Sequence, residues 1–314
     1  MARKRKGTPI HGWLVLDKPP ALTSAKVVAI VRRHLDAAKA GHGGTLDPLA
    51  TGILPIAFGE ATKTVAYAME RRKTYRFVVR WGEARATDDV TGELLGDSAV
   101  RPTAEAIRAA LATFTGAIAQ VPPAYSAIQV AGRRAYARAR AGESLELAPR
   151  GVVVHRLSLE GLPDRDHALF EVVCGKGTYV RSLARDLGVT LGTLGCIAEL
   201  RRLAVGPFTE NQAISLDYLT SLGHDAVLAK HLLPVETGLD DIPALALTEE
   251  EAARLRHGQI IPMLGDDHHH RQAHVRAAGS EQEETLVCAM SEGRPVAVAR
   301  LAGGKLRALR VLNL

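Results

Sequence analysis

The sequence predicts an α+β chain, and three observations carry that expectation. Two kinds of strand pattern are present: a nearly continuous apolar run over residues 12–17, and alternation through Tyr75, Phe77, Val79 and Trp81. Helical stripes of apolar residues stand apart from them, after Ser24 and after Thr178. The 314 residues suit about two domains, and a second set of short strand-like runs begins after about residue 240.

Taken in order, the run at 12–17 reads as a buried strand that ends at the turn-forming Lys18-Pro19-Pro20. Ser24 is expected to cap the next helix, whose Val27, Ile30, Val31 and Leu35 fall on one face. A glycine-rich loop follows. In the strand opened by Tyr75, Arg76, Val78 and Arg80 take the opposite face. Residues 121–150 change character: Pro122 and Pro123 precede Arg133, Arg134, Arg138 and Arg140 among alanines, as in an insertion with a short basic helix. A further strand spans 169–174. The Gly175-Lys176-Gly177 turn then leads into a helix with Thr178 as its expected cap, Val180, Leu183, Ala184 and Leu187 inward, and Gly188 as its stop. Beyond residue 240, Thr248 and Glu251 form a capping box for a helix ending near Gly258. Strand-like runs at 286–290, 295–301 and 305–312 follow, the last two joined through Ala302-Gly303-Gly304.

Composition narrows the class. A net charge of +6 and a pI of about 9.3 favour a polyanionic partner. Cys174, Cys196 and Cys288 are odd in number and lack C-x-x-C spacing, so buried free thiols are expected rather than disulfides or a zinc site. No apolar run is long enough to span a membrane, and the basic start at Arg3-Lys4-Arg5-Lys6 has no apolar stretch after it, so a cytoplasmic protein is expected. His268-His269-His270, with Asp266, Asp267 and His274, invites a metal reading. Consecutive histidines point in different directions, however, so an exposed loop and no metal site are expected.

The segment most suggestive of chemistry is Gly41-His42-Gly43-Gly44-Thr45-Leu46-Asp47-Pro48-Leu49-Ala50-Thr51-Gly52. Four glycines and a proline in twelve residues exclude regular helix or central strand. Such a loop lets a ligand approach the backbone closely, and it carries a carboxylate, Asp47, five residues after an imidazole, His42. Arg181 falls in the first turn of its helix, where the macrodipole disfavours a cation by up to about 1 kcal/mol. A cation kept there suits an anion opposite, and Asp47 is the candidate.

This loop resembles the catalytic loop of the TruB family of tRNA pseudouridine-55 synthases. Four further blocks resemble the family in the same order: Leu16-Asp17-Lys18-Pro19-Pro20-Ala21-Leu22-Thr23-Ser24, Lys73-Thr74-Tyr75-Arg76, Pro122-Pro123-Ala124-Tyr125-Ser126-Ala127 and Gly175-Lys176-Gly177-Thr178-Tyr179-Val180-Arg181-Ser182. The resemblance covers residues 10 to about 210. It implies a pseudouridine synthase fold around a mixed, largely antiparallel sheet (10–240), with 121–150 as a thumb-like RNA-contacting insertion and 241–314 as a small β-rich PUA-like RNA-binding domain. The basic start, residues 1–9, is expected from its charge to be a mobile tail.

It also implies a site. Asp47 would be the essential carboxylate, paired with Arg181, and Tyr75 would stack on the uracil or take part in proton transfer. His42 would enter the gap left by the flipped uridine; read from the residues alone, acid–base work or loop packing stays open. Tyr179 and Leu200 would line the base pocket, and Lys18 and Lys63 would contact phosphate or support loops. The reaction breaks the bond from ribose C1′ to N1 and rejoins the ring through C5. It needs neither redox change nor group donor, so no cofactor is expected. The partner expected is the T-arm stem-loop of tRNA, with no guide RNA, no membrane and a monomeric enzyme. Addition of Asp47 to C1′, addition to C6 and abstraction at C2′ all remain open.

The resemblance also allows a tRNA-folding chaperone activity beside the synthase. Three rivals are an RNA-binding or tRNA-folding chaperone with incidental catalysis, a guide-dependent relative and a glycosidase-like hydrolase, the last requiring a second acid that the Asp47 loop lacks. Two positions depart from the family pattern. Ala21 stands where glycine is usual, and Gln129 where lysine is common.

Overall fold

The computed structural model describes residues 7–126, 128–130, 132–143, 147–263 and 284–314. The basic start at residues 3–6 and the histidine run at 268–270 lie outside the described residues. The main sheet runs, edge to edge, Ile214–Ser215, Gly12–Lys18, Thr51–Phe58, Gly195–Val205, Lys73–Trp81, His167–Cys174, Arg150–Gly161 and Gly116–Gln120. Ala40–His42 pairs with Thr51–Phe58, and Phe208–Thr209 with Gly195–Val205. Neighbours are antiparallel except at two places, where Gly12–Lys18 meets Ile214–Ser215 and where Gly195–Val205 meets Thr51–Phe58. The mixed, largely antiparallel sheet is therefore as expected.

Burial explains the strand patterns. Gly12–Lys18 reads as continuous apolar sequence because both of its faces are covered. Leu14 and Leu16 join the large core, while Trp13 and Val15 join a second one with Ile53, Ala57 and Phe208. Lys73–Trp81 alternates because one face carries the packing: Phe77, Val79 and Trp81 are buried, and Phe77 stacks on Phe170 of the next strand, centroids 5.2 Å apart. Trp81 meets the same ring edge-on at 6.3 Å. Such pairs contribute about 0.5–1.5 kcal/mol beyond their burial.

The helices correct the expected caps. Thr23, not Ser24, caps Ser24–His34 by accepting from the Lys26 amide. Ser24 is buried and used elsewhere. Thr178 is not the cap of Val180–Thr190: Tyr179 holds that position without a side-chain bond, and Thr178 donates to the Gly175 carbonyl instead. That helix also passes through Gly188 to Thr190, with the turn at Gly192 (φ 68°). Val180, Leu183, Ala184 and Leu187 are buried as expected. In the 121–150 region the basic helix is Ala135–Arg140, preceded by the short strands Gln129–Val130 and Arg133–Arg134.

The C-terminal sheet runs Ala244–Ala246, Thr285–Ser291, Arg294–Ala302, Lys305–Val311, Ile261–Pro262 and has its own core, including Leu245, Leu255, Val287 and Leu306. Its helix, Glu249–Arg256, has the expected Thr248/Glu251 capping box. Gly303 and Gly304, at φ 53° and 67°, turn the last hairpin. Leu312 reaches across into the core that holds Trp13.

Candidate active site

The Asp47 loop connects Ala40–His42 to Thr51–Phe58, and its carbonyls are met by side chains from distant segments rather than by a strand ladder. Arg202 is 1% exposed and donates to Gly44 (3.0 Å), Thr45 (3.3 Å) and Ile53 (2.8 Å). Lys18 is buried and donates to Pro48 at 3.3 Å, as well as to Pro19 and Leu22. The Ser24 hydroxyl both accepts from the Leu46 amide at 2.8 Å and donates to its carbonyl at 3.1 Å. The Ala21 amide donates to Pro48 at 2.9 Å. Gly52 lets the Thr51–Phe58 strand lie against Arg202, since a Cβ there would stand 2.2 Å from the Arg202 carbonyl oxygen.

Asp47 emerges from this clamp at the wall of a cavity of about 280 Å³, the scale of a small ligand and far below that of an RNA stem. Arg181 Nε lies 2.9 Å from Asp47 Oδ2. The contact is ionic rather than a well-aimed hydrogen bond, because the Nε hydrogen has no partner in line. The other two nitrogens of Arg181 fix its position by donating to Thr87 (2.8 Å) and Tyr125 (3.0 Å). Arg181 is buried, whereas the Asp47 side chain keeps 36% of its surface open to the cavity.

Tyr75, Tyr179, Leu200 and Arg202 line the same cavity. Burial raises the phenols of Tyr75 and Tyr179 above the ordinary tyrosine value, so both are neutral hydroxyls at pH 7. Gln120 holds the Tyr179 backbone from both sides, accepting from its amide at 2.7 Å and donating to its carbonyl at 3.0 Å. Ser126 adds a buried hydroxyl beside the Tyr179 phenol. Lys73 also lines the cavity, but its ammonium donates to the Met69 and Arg71 carbonyls, and burial pulls its pKa down to about 8.

Three of the expected site residues lie outside the lining of this cavity. His42 is half-buried at its strand end and is not part of the cavity lining; Nδ1 has no hydrogen-bond partner, and burial, then nearby Arg202, lowers its pKa below 6.5. Lys18 supports the loop from beneath. Lys63 faces away from the cavity, bound to Glu60 at 2.6 Å and to the Val311 carbonyl at 2.8 Å, which ties the two units together. Sequence reading missed Arg202 and mistook Ser24 for a cap. The available signal was the Arg201-Arg202 pair inside a strand, where alternation must turn one arginine inward.

Comparisons with known proteins agree with this architecture. The model of the TruB family pseudouridylate synthase N-terminal domain matches residues 32–180, and that of the tRNA pseudouridylate synthase B C-terminal domain matches 181–240. A tRNA pseudouridine synthase B of Rhodospirillum rubrum is 54% identical over the full length of both chains. One of Bradyrhizobium diazoefficiens is 52% identical over 99% of this chain and 88% of its own. A solved H/ACA RNP bound to a substrate RNA containing 2′-deoxyuridine is similar in fold, with a TM-score of 0.72 at 22% identity over 100% of this chain and 92% of that one. With two family models in register and full-length relatives at this identity, the chain belongs to the TruB family of pseudouridylate synthases.

Proposed function

We propose that this chain is a stand-alone tRNA pseudouridine synthase, cytoplasmic and monomeric, that isomerises the T-loop uridine without guide RNA. The observation that carries the reading is Asp47 at the cavity wall with Arg181 Nε 2.9 Å from its carboxylate. The uridine is flipped from its stack at a cost of a few kcal/mol and enters the cavity. Tyr75 stacks on the uracil, while Tyr179 and Leu200 bound its edge. Asp47 supplies the carboxylate, by addition to C1′, by addition to C6 or as a base at C2′. Arg181 acts by orienting it. His42, uncharged at pH 7, occupies the space the base vacates. The C-terminal unit serves as a PUA-like RNA grip.

The test uses the purified chain and an unmodified tRNA transcript, without cofactor or added protein, with pseudouridine mapped by nucleotide. Product confined to the T loop is expected, and Asp47→Asn is expected to abolish it while tRNA affinity stays near wild type. Product only after adding partner proteins and a guide would replace this reading with a guide-dependent one, and release of free uracil would replace it with a hydrolase.

A further inference from the structure

A second cavity, of about 680 Å³, opens where the main sheet meets the C-terminal unit, and Tyr67, Arg71, Arg72, His155 and Asp241 contribute to its wall. Gly175 lines both this cleft and the catalytic cavity, so the two adjoin around a single turn. On their shared lip Lys176, from the catalytic side, pairs with Glu70, from the cleft side, at 2.6 Å.

Charge in the cleft is unevenly used. Arg71 is engaged by Asp240 and Asp241, and Glu70 by Lys176. Arg72 is exposed, and among the described residues its guanidinium makes neither hydrogen bond nor ion pair. His155 reaches the cleft by a specific device. The register between Arg150–Gly161 and His167–Cys174 skips from Val154 to Arg156, which leaves His155 as the unpaired residue of a β-bulge. Bulges re-aim side chains and gather beside active sites. This one lies opposite Cys174, the residue before Gly175.

We propose that the cleft is a second RNA subsite, holding the nucleotide next to the one in the catalytic cavity, with Arg72 on its phosphate and His155 on its ribose. An RNA strand whose base is drawn into the cavity must continue past the lip as single strand, and a free guanidinium is suited to a phosphate there. The inference rests on the reading that the chain acts on tRNA.

The test measures tRNA affinity against salt, and the single-turnover rate at saturating tRNA, for wild type and variants. Arg72→Ala is expected to weaken binding about tenfold and to reduce the slope of log K on log salt by about 0.7–0.9, with the saturated rate unchanged. Arg72→Lys restores the slope, and His155→Ala weakens binding without changing it. Wild-type affinity and slope in Arg72→Ala would overturn the subsite, as would a loss confined to the saturated rate. A wild-type chain that neither binds nor modifies tRNA sinks the functional reading itself, a result seen before any variant is compared.

Discussion

Ala21 sits at φ 64°, in the left-handed region that glycine enters freely and alanine does not. The strain is kept because its amide anchors Pro48, one residue from Asp47. Ala21→Gly relieves strain but loosens the unfolded chain, and the net expectation is a gain of up to about 1 kcal/mol. Urea unfolding checks it; a loss of stability would mean that the methyl group packs better than its backbone suffers. Much at this scale was legible beforehand. The glycine-rich loop announced Asp47, and an arginine in a helix's first turn announced its partner. What stayed hidden were residues whose partners are backbone amides and carbonyls. Arg202 and Ser24 hold the loop through main-chain groups that every residue possesses, so no spacing or residue type marks the contact. Lys63 reads in sequence as one more surface cation, and only the fold shows that it spans two units.

Helix Val180–Thr190 carries Arg181, and its seat on the sheet sets how that arginine meets Asp47. Gly188 lies in the helix body against the backbone of Gly195, where a Cβ would stand 2.5 Å from the Gly195 nitrogen. The contact is backbone to backbone, so neither side can yield by turning a side chain. Gly188→Ala should cost about 1–3 kcal/mol and also slow catalysis, because the helix must lift and take Arg181 with it. Thermal unfolding and the turnover number together decide the point, and loss of stability with full activity would show that the helix moves without disturbing the pair. Sequence periodicity found this helix and its buried face correctly. It misread Gly188 as a stop because a glycine near a helix end looks the same whether it serves a turn or a close crossing. The alternation of Lys73–Trp81 and the two-sided burial of Gly12–Lys18 were legible for the converse reason: both are imposed by cores large enough to dictate every other residue.

Across the whole molecule, burial of cations beneath the catalytic loop couples the fold to pH. Desolvation lowers Lys18 to about 8 from the 10.5 of a free lysine, against the partial support of Asp47. Between those values the unfolded chain binds the proton more readily than the folded one, so folding stability gained from this site rises with pH across about 8 to 10.5; below pH 8 the cost of the buried charge is present in full. Wild type is therefore expected to become more stable relative to Lys18→Met as pH climbs through that window, as read by denaturant midpoints at matched ionic strength. A difference that is flat or falls with pH contradicts the assignment. The same clamp has a consequence in time. Arg181 and Arg202 follow Asp47 by 134 and 155 residues (181 − 47 and 202 − 47). During synthesis at about 5–20 residues per second, the loop waits roughly 8–30 s for its last support. Until Arg181 is made its carboxylate lacks a partner, and until Arg202 follows its carbonyls lack their last donor. A nascent chain that has not yet reached Arg202 thus has the loop but not the centre, and chemistry begins only when most of the main sheet has closed.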